Sequence, residues 1–253
     1  MFINHNEYQM MFDAEEKLWW YRLLHHKVLK TIKETFGDNK NIRLLDAGCG
    51  TGGLMTFLGK SGYANTVGFD YSTSAVQFSK ERGLPVLQLS IDDIYERFSN
   101  EKFDVIVCDD VICTLETLQI QNAFINIEKL LKPGGIFISN NNAFDIFRGT
   151  HDIAVGSKHR FTLDNLKKYY EPTNLRIVNS TYWSIFLSPL ILAVRLFQQV
   201  KIKLGLVDES KLTSDVSLPS FFVNEMLYKL VKLEERLISK SPFGSSLFTV
   251  FKK

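Results

Sequence analysis

Between Leu44 and Gly53 the chain reads LLDAGCGTGG, which places four glycines within six residues directly behind an apolar run. An apolar run over 41–47 reads as a buried strand, and Leu54–Ser61 reopens with helical spacing. A strand, a tight glycine turn and a helix in that order open a parallel α/β unit. The glycines let backbone N–H groups approach a ligand closely and aim a helix N-terminus at it. The rhythm continues. Strands are predicted at Thr66–Asp70, Pro85–Leu89, Phe103–Cys108 and Ile136–Asn140, and helices at Ser72–Arg82 and Leu118–Leu131, with KPGG (Lys132–Gly135) turning the chain into the fifth strand. Strands alternating with helices through short links require right-handed crossovers, so the fold class is α/β, a doubly wound and mostly parallel sheet.

Before this unit, residues Asp13–Phe36 carry apolar groups at helical spacing and predict one helix. After Asn142 the rhythm changes. Thr162–Tyr170 predicts a helix capped by Thr162, Leu175–Val178 a strand, Ser184–Lys203 and Phe222–Ser239 two long helices joined by the polar link Val207–Pro219, and Ser245–Val250 a final strand. The division expected is 1–40 as an N-terminal helical lid, 41–180 as the core, 181–243 as a helical insertion or cap, and 244–253 as the last strand of the core.

The 30 basic and 28 acidic side chains leave a net charge of +2, which argues against a chain that binds nucleic acid by charge alone. Three cysteines at irregular spacing make neither a disulfide framework nor a zinc site, and no metal-ligand spacing is present elsewhere. They read as small buried hydrophobes. The polar, acidic start is unlike a secretion signal, and Tyr182–Val194 is too short to span a bilayer. A cytoplasmic protein is the expectation, with peripheral membrane contact as the alternative placement.

Gly48, Gly50 and Gly53 satisfy GxGxxG, a spacing that suits any adenosine ligand. Asp46 discriminates. A carboxylate at the end of the first strand repels a dinucleotide pyrophosphate, whereas S-adenosylmethionine (SAM) brings an ammonium and a sulfonium and no phosphate. The turn residues Gly48, Cys49, Gly50 and Gly52 are therefore candidates to hold SAM together with Asp46. Asp70 ends the second strand some twenty residues on, where a carboxylate can accept from a ribose diol, with Tyr71 beside it.

With LLDAGCGTGG, GFD, KFDVIVCDDVI and LKPGGIFI in this order, the chain resembles a class I SAM-dependent methyltransferase. EEKLWWYRLLHHKVL, HRFT, SDVSLP and SPFGSSLFTVFKK are similar to a bacterial subgroup that accompanies surface-polysaccharide and glycosyltransferase functions. The resemblance implies a Rossmann-like sheet with its last strand antiparallel. It implies that LSIDDI covers the adenine through Ser90, Ile91 and Asp92. The acceptor should lie beyond the carboxyl ends of the strands, where Asp109 or Asp110 is expected to face the methyl group, Asp109 as a cofactor contact and Asp110 as a catalytic candidate. The acid–histidine pair many relatives place next is replaced by Cys113 and Thr114.

A hydroxyl acceptor benefits from a general base. His159 in KHRFT is the first candidate and His25 the second, the latter on an amphipathic helix where the plainer reading is a solvent-facing ring. Arg160 is expected to bind an acidic group of the substrate. Trp19, Trp20 and Tyr21 are consecutive, so they cannot all face one core, and Trp20 and Tyr21 are expected to reach the substrate. The insertion is expected to be a cap over the acceptor, a homodimer contact, or a peripheral membrane contact through 184–203. The function expected is methyl transfer to a small molecule or a sugar-containing, possibly lipid-linked, intermediate. The alternatives are a SAM-binding regulatory or degenerate module and an NAD-dependent oxidoreductase. A DNA or RNA adenine methyltransferase is not expected, because NNNAF lacks the prolines that hold a flipped base and follows the fifth strand, not the fourth.

Overall fold

The computed structural model describes residues 5–208 and 212–253. Residues 1–4 of the expected lid and 209–211 of the polar link lie outside the described residues. In chain order the elements are α1 (His5–Ala14), α2 (Trp19–Phe36), β1 (Leu44–Ala47), α3 (Gly53–Lys60), β2 (Thr66–Asp70), α4 (Thr73–Glu81), β3 (Val86–Gln88), α5 (Ile94–Phe98), β4 (Phe103–Asp109), α6 (Thr117–Leu130), β5 (Leu131–Asn142), α7 (Thr150–Ala154), α8 (Leu163–Tyr170), β6 (Arg176–Trp183), α9 (Ser188–Lys203), α10 (Phe221–Leu237) and β7 (Ser246–Lys252).

Seven strands form one sheet in the order β3-β2-β1-β4-β5-β7-β6. β1 to β5 pair in parallel, and β7 runs antiparallel between β5 and β6. The doubly wound α/β sheet with one antiparallel strand matches the expectation. Alternation along the strands sorts two cores onto its two faces. Ile106 and Phe137 join Phe98, Phe124 and Phe251 on one side. Val105, Val107, Ile136 and Ile138 join Leu24, Val28, Ile32, Leu58 and Val231 on the other. The three cysteines are free and buried, as small hydrophobes would be.

Some predicted elements change. The single helix Asp13–Phe36 is two, α1 and α2, with a turn at 15–18. Nothing in DAEEKL breaks a helix by propensity. The break is held by Asn224 of α10, whose Oδ1 accepts from Trp19 N at 2.9 Å and whose Nδ2 donates to Lys17 O at 2.9 Å. α1 then packs on α4, while α2 lies in the core layer, so the part standing over the sheet ends is narrower than residues 1–40. KPGG is not a turn before β5 but a bulge inside it. Leu131 pairs with Phe103, and pairing resumes at Ile136 with Val105. β6 runs on to Trp183 because β7 pairs with it along that length, and Trp183 Nε1 donates to Asn140 Oδ1 at 2.9 Å.

Candidate functional site

A cavity of about 570 Å³ opens beyond the carboxyl ends of β1, β2 and β4, with α1 and the start of α2 over it. This is where an open parallel sheet splays its crossovers and leaves a crevice. Asp46, Gly48, Cys49, Gly50, Asp70, Tyr71, Ser90, Ile91, Asp92, Asp109 and Asp110 all line it.

At the glycine turn, Gly48 has φ +82°, and a Cβ there would lie 2.2 Å from Val111 Cγ2, so no other residue fits. Gly48 N and Cys49 N both donate to Phe69 O at 2.9 Å, tying the turn to β2. Asp46 is buried, and its Oδ2 has no hydrogen-bond partner. Burial, with Glu15 and Asp70 nearby, pushes its carboxyl up to about 8. An orphaned, desolvated carboxylate facing a cavity is completed by a cation. Asp70 is buried, which raises its pKa despite backbone donors that include Ser72 N to Oδ1 at 2.8 Å and Gly50 N to Oδ2 at 2.9 Å. Asp92 Oδ2 accepts from Gln119 Nε2 at 2.7 Å, and Asp92 N donates to Ser90 Oγ at 3.2 Å, which fixes this loop beside Ile91. Gly52 is a correction. It does not line the cavity but caps α3 at φ +86°, and a Cβ there would meet Leu84 at 2.3 Å, so its smallness serves packing against the segment after α4.

At the other end, Asp109 Oδ1 accepts from Asn140 N at 3.1 Å, and burial raises this carboxyl well above its usual range. Asp110 adopts φ +54°, a left-handed conformation costly for a residue with a Cβ. Its N donates to Asn140 O at 2.8 Å, and its buried Oδ1 has no partner. Burial pushes the Asp110 carboxyl up to about 7, against the downward pull of Arg160 and of the Asn140 side chain.

Trp20 and Tyr21 line the cavity, with Trp20 stacked on Trp183 at 5.7 Å between ring centres and set edge-on to Tyr21 at 5.1 Å. Trp19 packs instead beside the second core.

Three side chains depart from expectation. His25 does not face solvent. It is buried, lines the cavity against Phe57, and burial lowers it to about 3. A ring so hard to protonate is a poor base. His159 does not line the cavity: its backbone N donates to Cys113 O at 3.0 Å and its ring packs against Phe161. Arg160 is buried and fully engaged, with Nε to Asp152 Oδ1 at 2.8 Å, Nη2 to Asp152 Oδ2 at 3.0 Å and Nη1 to Ala143 O at 2.9 Å, so it holds the fold together and does not line the cavity.

Sequence reasoning missed Tyr8 and Met11 of α1 and Glu15 in the turn after it, all of which line the cavity. Glu15 is buried, bonded to Thr51 and paired with Arg82 at 2.8 Å, and desolvation still pushes it up to about 7. Burial likewise lifts Tyr8 to about 12. No local signal separates Glu15 from its exposed neighbour Glu16, because the difference arises only from the turn between α1 and α2.

Set against known proteins, the family described as methyltransferase domain matches residues 38–171, the stretch that carries β1 to β5 and the cavity floor. The chain belongs to the methyltransferase domain family. A ubiquinone biosynthesis O-methyltransferase of Rickettsia bellii is 28% identical over 152 residues, 54% of this chain and 61% of that protein. Its counterpart in Rickettsia canadensis is 30% identical over 117 residues, 44% of this chain and 47% of that protein. The methyltransferase domain and its flanks thus span about half to three-fifths of the length of these curated relatives. Among solved structures, a SAM-dependent methyltransferase from Archaeoglobus fulgidus superposes with a TM-score of 0.58 at 14% identity, over 92% of this chain and 94% of that one. Phosphoethanolamine N-methyltransferase 2 from Haemonchus contortus, in complex with SAM, superposes with a TM-score of 0.55 at 16% identity, over 90% and 52%. These likenesses establish that the methyltransferase domain here has the fold of SAM-dependent methyltransferases.

Proposed function

We propose that the chain is a SAM-dependent methyltransferase acting on an oxygen atom of a small, sugar-containing or lipid-linked acceptor. The observation that carries this is the orphaned Asp46 carboxylate beside a turn that only glycine can form. A buried carboxyl with an open oxygen, reluctant to ionise alone, is ionised by an ammonium-bearing amino-acid moiety beside it and is not favoured beside paired phosphates. Asp46, Gly48 and Gly50 would hold that moiety, Asp70 the ribose, and Ser90, Ile91 and Asp92 the adenine. When bound, SAM supplies a methyl group on a sulfonium, already activated for displacement.

The chain's own task is then to position the acceptor, exclude water and take up a proton. Asp110 is suited to the last. A carboxyl near neutrality with an unpartnered oxygen accepts the proton of an acceptor hydroxyl as its oxygen forms the new bond to carbon. Trp20 and Tyr21 give aromatic faces for a ring-shaped acceptor, with Thr114 and Lys158 as polar neighbours in the same cavity. The O-methyltransferase names of the relatives favour oxygen over nitrogen.

Calorimetry of SAM, S-adenosylhomocysteine and NAD against the wild type and Asp46→Ala tests the cofactor reading. Binding of the first two alone, lost in the variant, is expected, and tight NAD uptake overturns it. Methyl release from labelled SAM with lipid and glycan extracts of bacteria separates an enzyme from a regulatory SAM-binding module, which would bind and never turn over.

A further inference from the structure

The insertion after β6 presents an apolar face that none of the described residues covers. Leu190, Val194, Phe197 and Val200 on α9, with Leu204 directly beyond its end, are spaced three or four residues apart and so share one side of the helix. Their exposures run from 46% at Val194 to 66% at Leu204, so the stripe lies open along the whole helix. α9 also carries three basic residues and no acidic one. Arg195 is paired with Asp215. Lys201, whose Nζ lies 4.6 Å from the Phe197 ring centre, and Lys203 are exposed and make no ion pair among the described residues.

A greasy stripe with an uncompensated positive end is the pattern of a helix lying in the headgroup region of an anionic bilayer. No helix among the described residues is long and apolar enough to cross one, so the contact is lateral. A second copy of the chain is the poorer occupant. Five side chains fall short of the roughly 20–30 residues a side of a stable interface, and a twin offers α9 no negative charge.

The other side of α9 leads to the site. Thr150 N donates to Gln198 Oε1 at 3.3 Å, and Gln199 Nε2 donates to Arg148 O at 2.8 Å, so α9 props α7 and the loop before it. Val155 and Gly156, which follow α7 directly, line the cavity. Asp215, the partner of Arg195, also takes a bond from its N to His151 Nδ1 at 3.1 Å, and Ser214 bonds Glu7 of α1. The stripe is therefore one helix layer from the acceptor end of the cavity.

We propose that α9 docks the protein on an anionic bilayer surface through this stripe, and that the acceptor is an amphiphile whose tail stays in that bilayer. The second half rests on the methyltransferase reading; the first does not.

Vesicles of phosphatidylglycerol and phosphatidylcholine in equal parts, and vesicles of phosphatidylcholine alone, test this by co-sedimentation. The wild type is expected to pellet with the anionic vesicles, at least about tenfold more weakly with the neutral ones, and less at raised ionic strength. Phe197→Glu with Val200→Glu, and separately Lys201→Glu with Lys203→Glu, are each expected to weaken binding about tenfold or more while leaving the melting temperature and SAM calorimetry unchanged. These positions are exposed, so neither pair is needed for folding. Wild type that stays in solution with anionic vesicles overturns the proposal. So do variants that pellet equally well, or a wild-type dimer in sedimentation velocity that Phe197→Glu dissociates. Wild type that binds SAM but neither kind of vesicle refutes the membrane contact alone, and wild type that docks on anionic vesicles but does not bind SAM refutes the enzyme reading alone.

Discussion

The cavity has two ends, and they are built differently. At the cofactor end the walls come from one short stretch, β1, the glycine turn and the end of β2, and they are tied to one another by local backbone bonds such as Gly48 N and Cys49 N to Phe69 O. At the acceptor end the walls come from the start of α2, the end of β4 and the loop after α7, spread from Trp20 to Lys158 along the chain, while α1 and Glu15 close over the glycine turn. The first end is a motif. The second is a place where distant pieces happen to meet, and each is held by a buried contact remote from the ligand. Such construction lets the acceptor change while the cofactor end stays fixed.

If that contrast holds, substitutions at the two ends separate in kind. The largest effect is expected at Asp110. Asp110→Asn should lower kcat by roughly 10²–10⁴ with SAM affinity nearly unchanged, because it removes the proton acceptor and leaves the glycine turn alone. Equal loss of SAM affinity would merge the two ends. Arg160→Met should unfold the acceptor wall and leave chemistry aside. Stranding Asp152 in the interior costs about 3–5 kcal/mol, read as a fall in melting temperature near 10 °C. A raised KM with normal stability would return Arg160 to the substrate.

Asp46→Asn is expected to weaken SAM about a hundredfold by calorimetry, since a buried charge pair loses one partner. A smaller change follows from pH. Glu15, Asp46 and Asp110 keep their protons in the folded chain up to about 7 or 8, whereas the unfolded chain releases them in the ordinary carboxylate range. Folding therefore binds protons over this interval, and stability falls as pH rises through it. The melting temperature should drop by several degrees between pH of about 5.5 and about 8.5, and SAM should restore part of the drop by favouring ionised Asp46. The same ionisation makes kcat rise with pH to a plateau above about 7 through Asp110. The smallest effect is expected for His159→Gln, with activity within about threefold of wild type, because the ring does not reach the cavity.

How far the site could be read in advance follows the same division. Asp46, Asp70 and the turn glycines are legible because a strand end, a turn and a helix start occupy consecutive residues, so sequence spacing is spatial spacing. Thr162, expected as a helix cap, accepts from Asn165 N at 3.2 Å for the same reason. Arg160 and His159 were misplaced because sequence gives the position of a loop but not the direction of its side chains. Asp152, eight residues earlier, claims the guanidinium. Glu15 escaped notice because its burial depends on Asn224, more than two hundred residues away, breaking the helix between α1 and α2.

The sequence by itself determined the order of strands and helices, the glycine turn and the carboxyl that ends the first strand. Each depends on hydrophobic period or backbone freedom within a few residues. Only the tertiary structure decided which carboxyls lose their water, which cations are already spoken for, and that one face of α9 is left bare. Burial and pairing are set by what arrives from elsewhere in the chain, and no local pattern encodes that arrival.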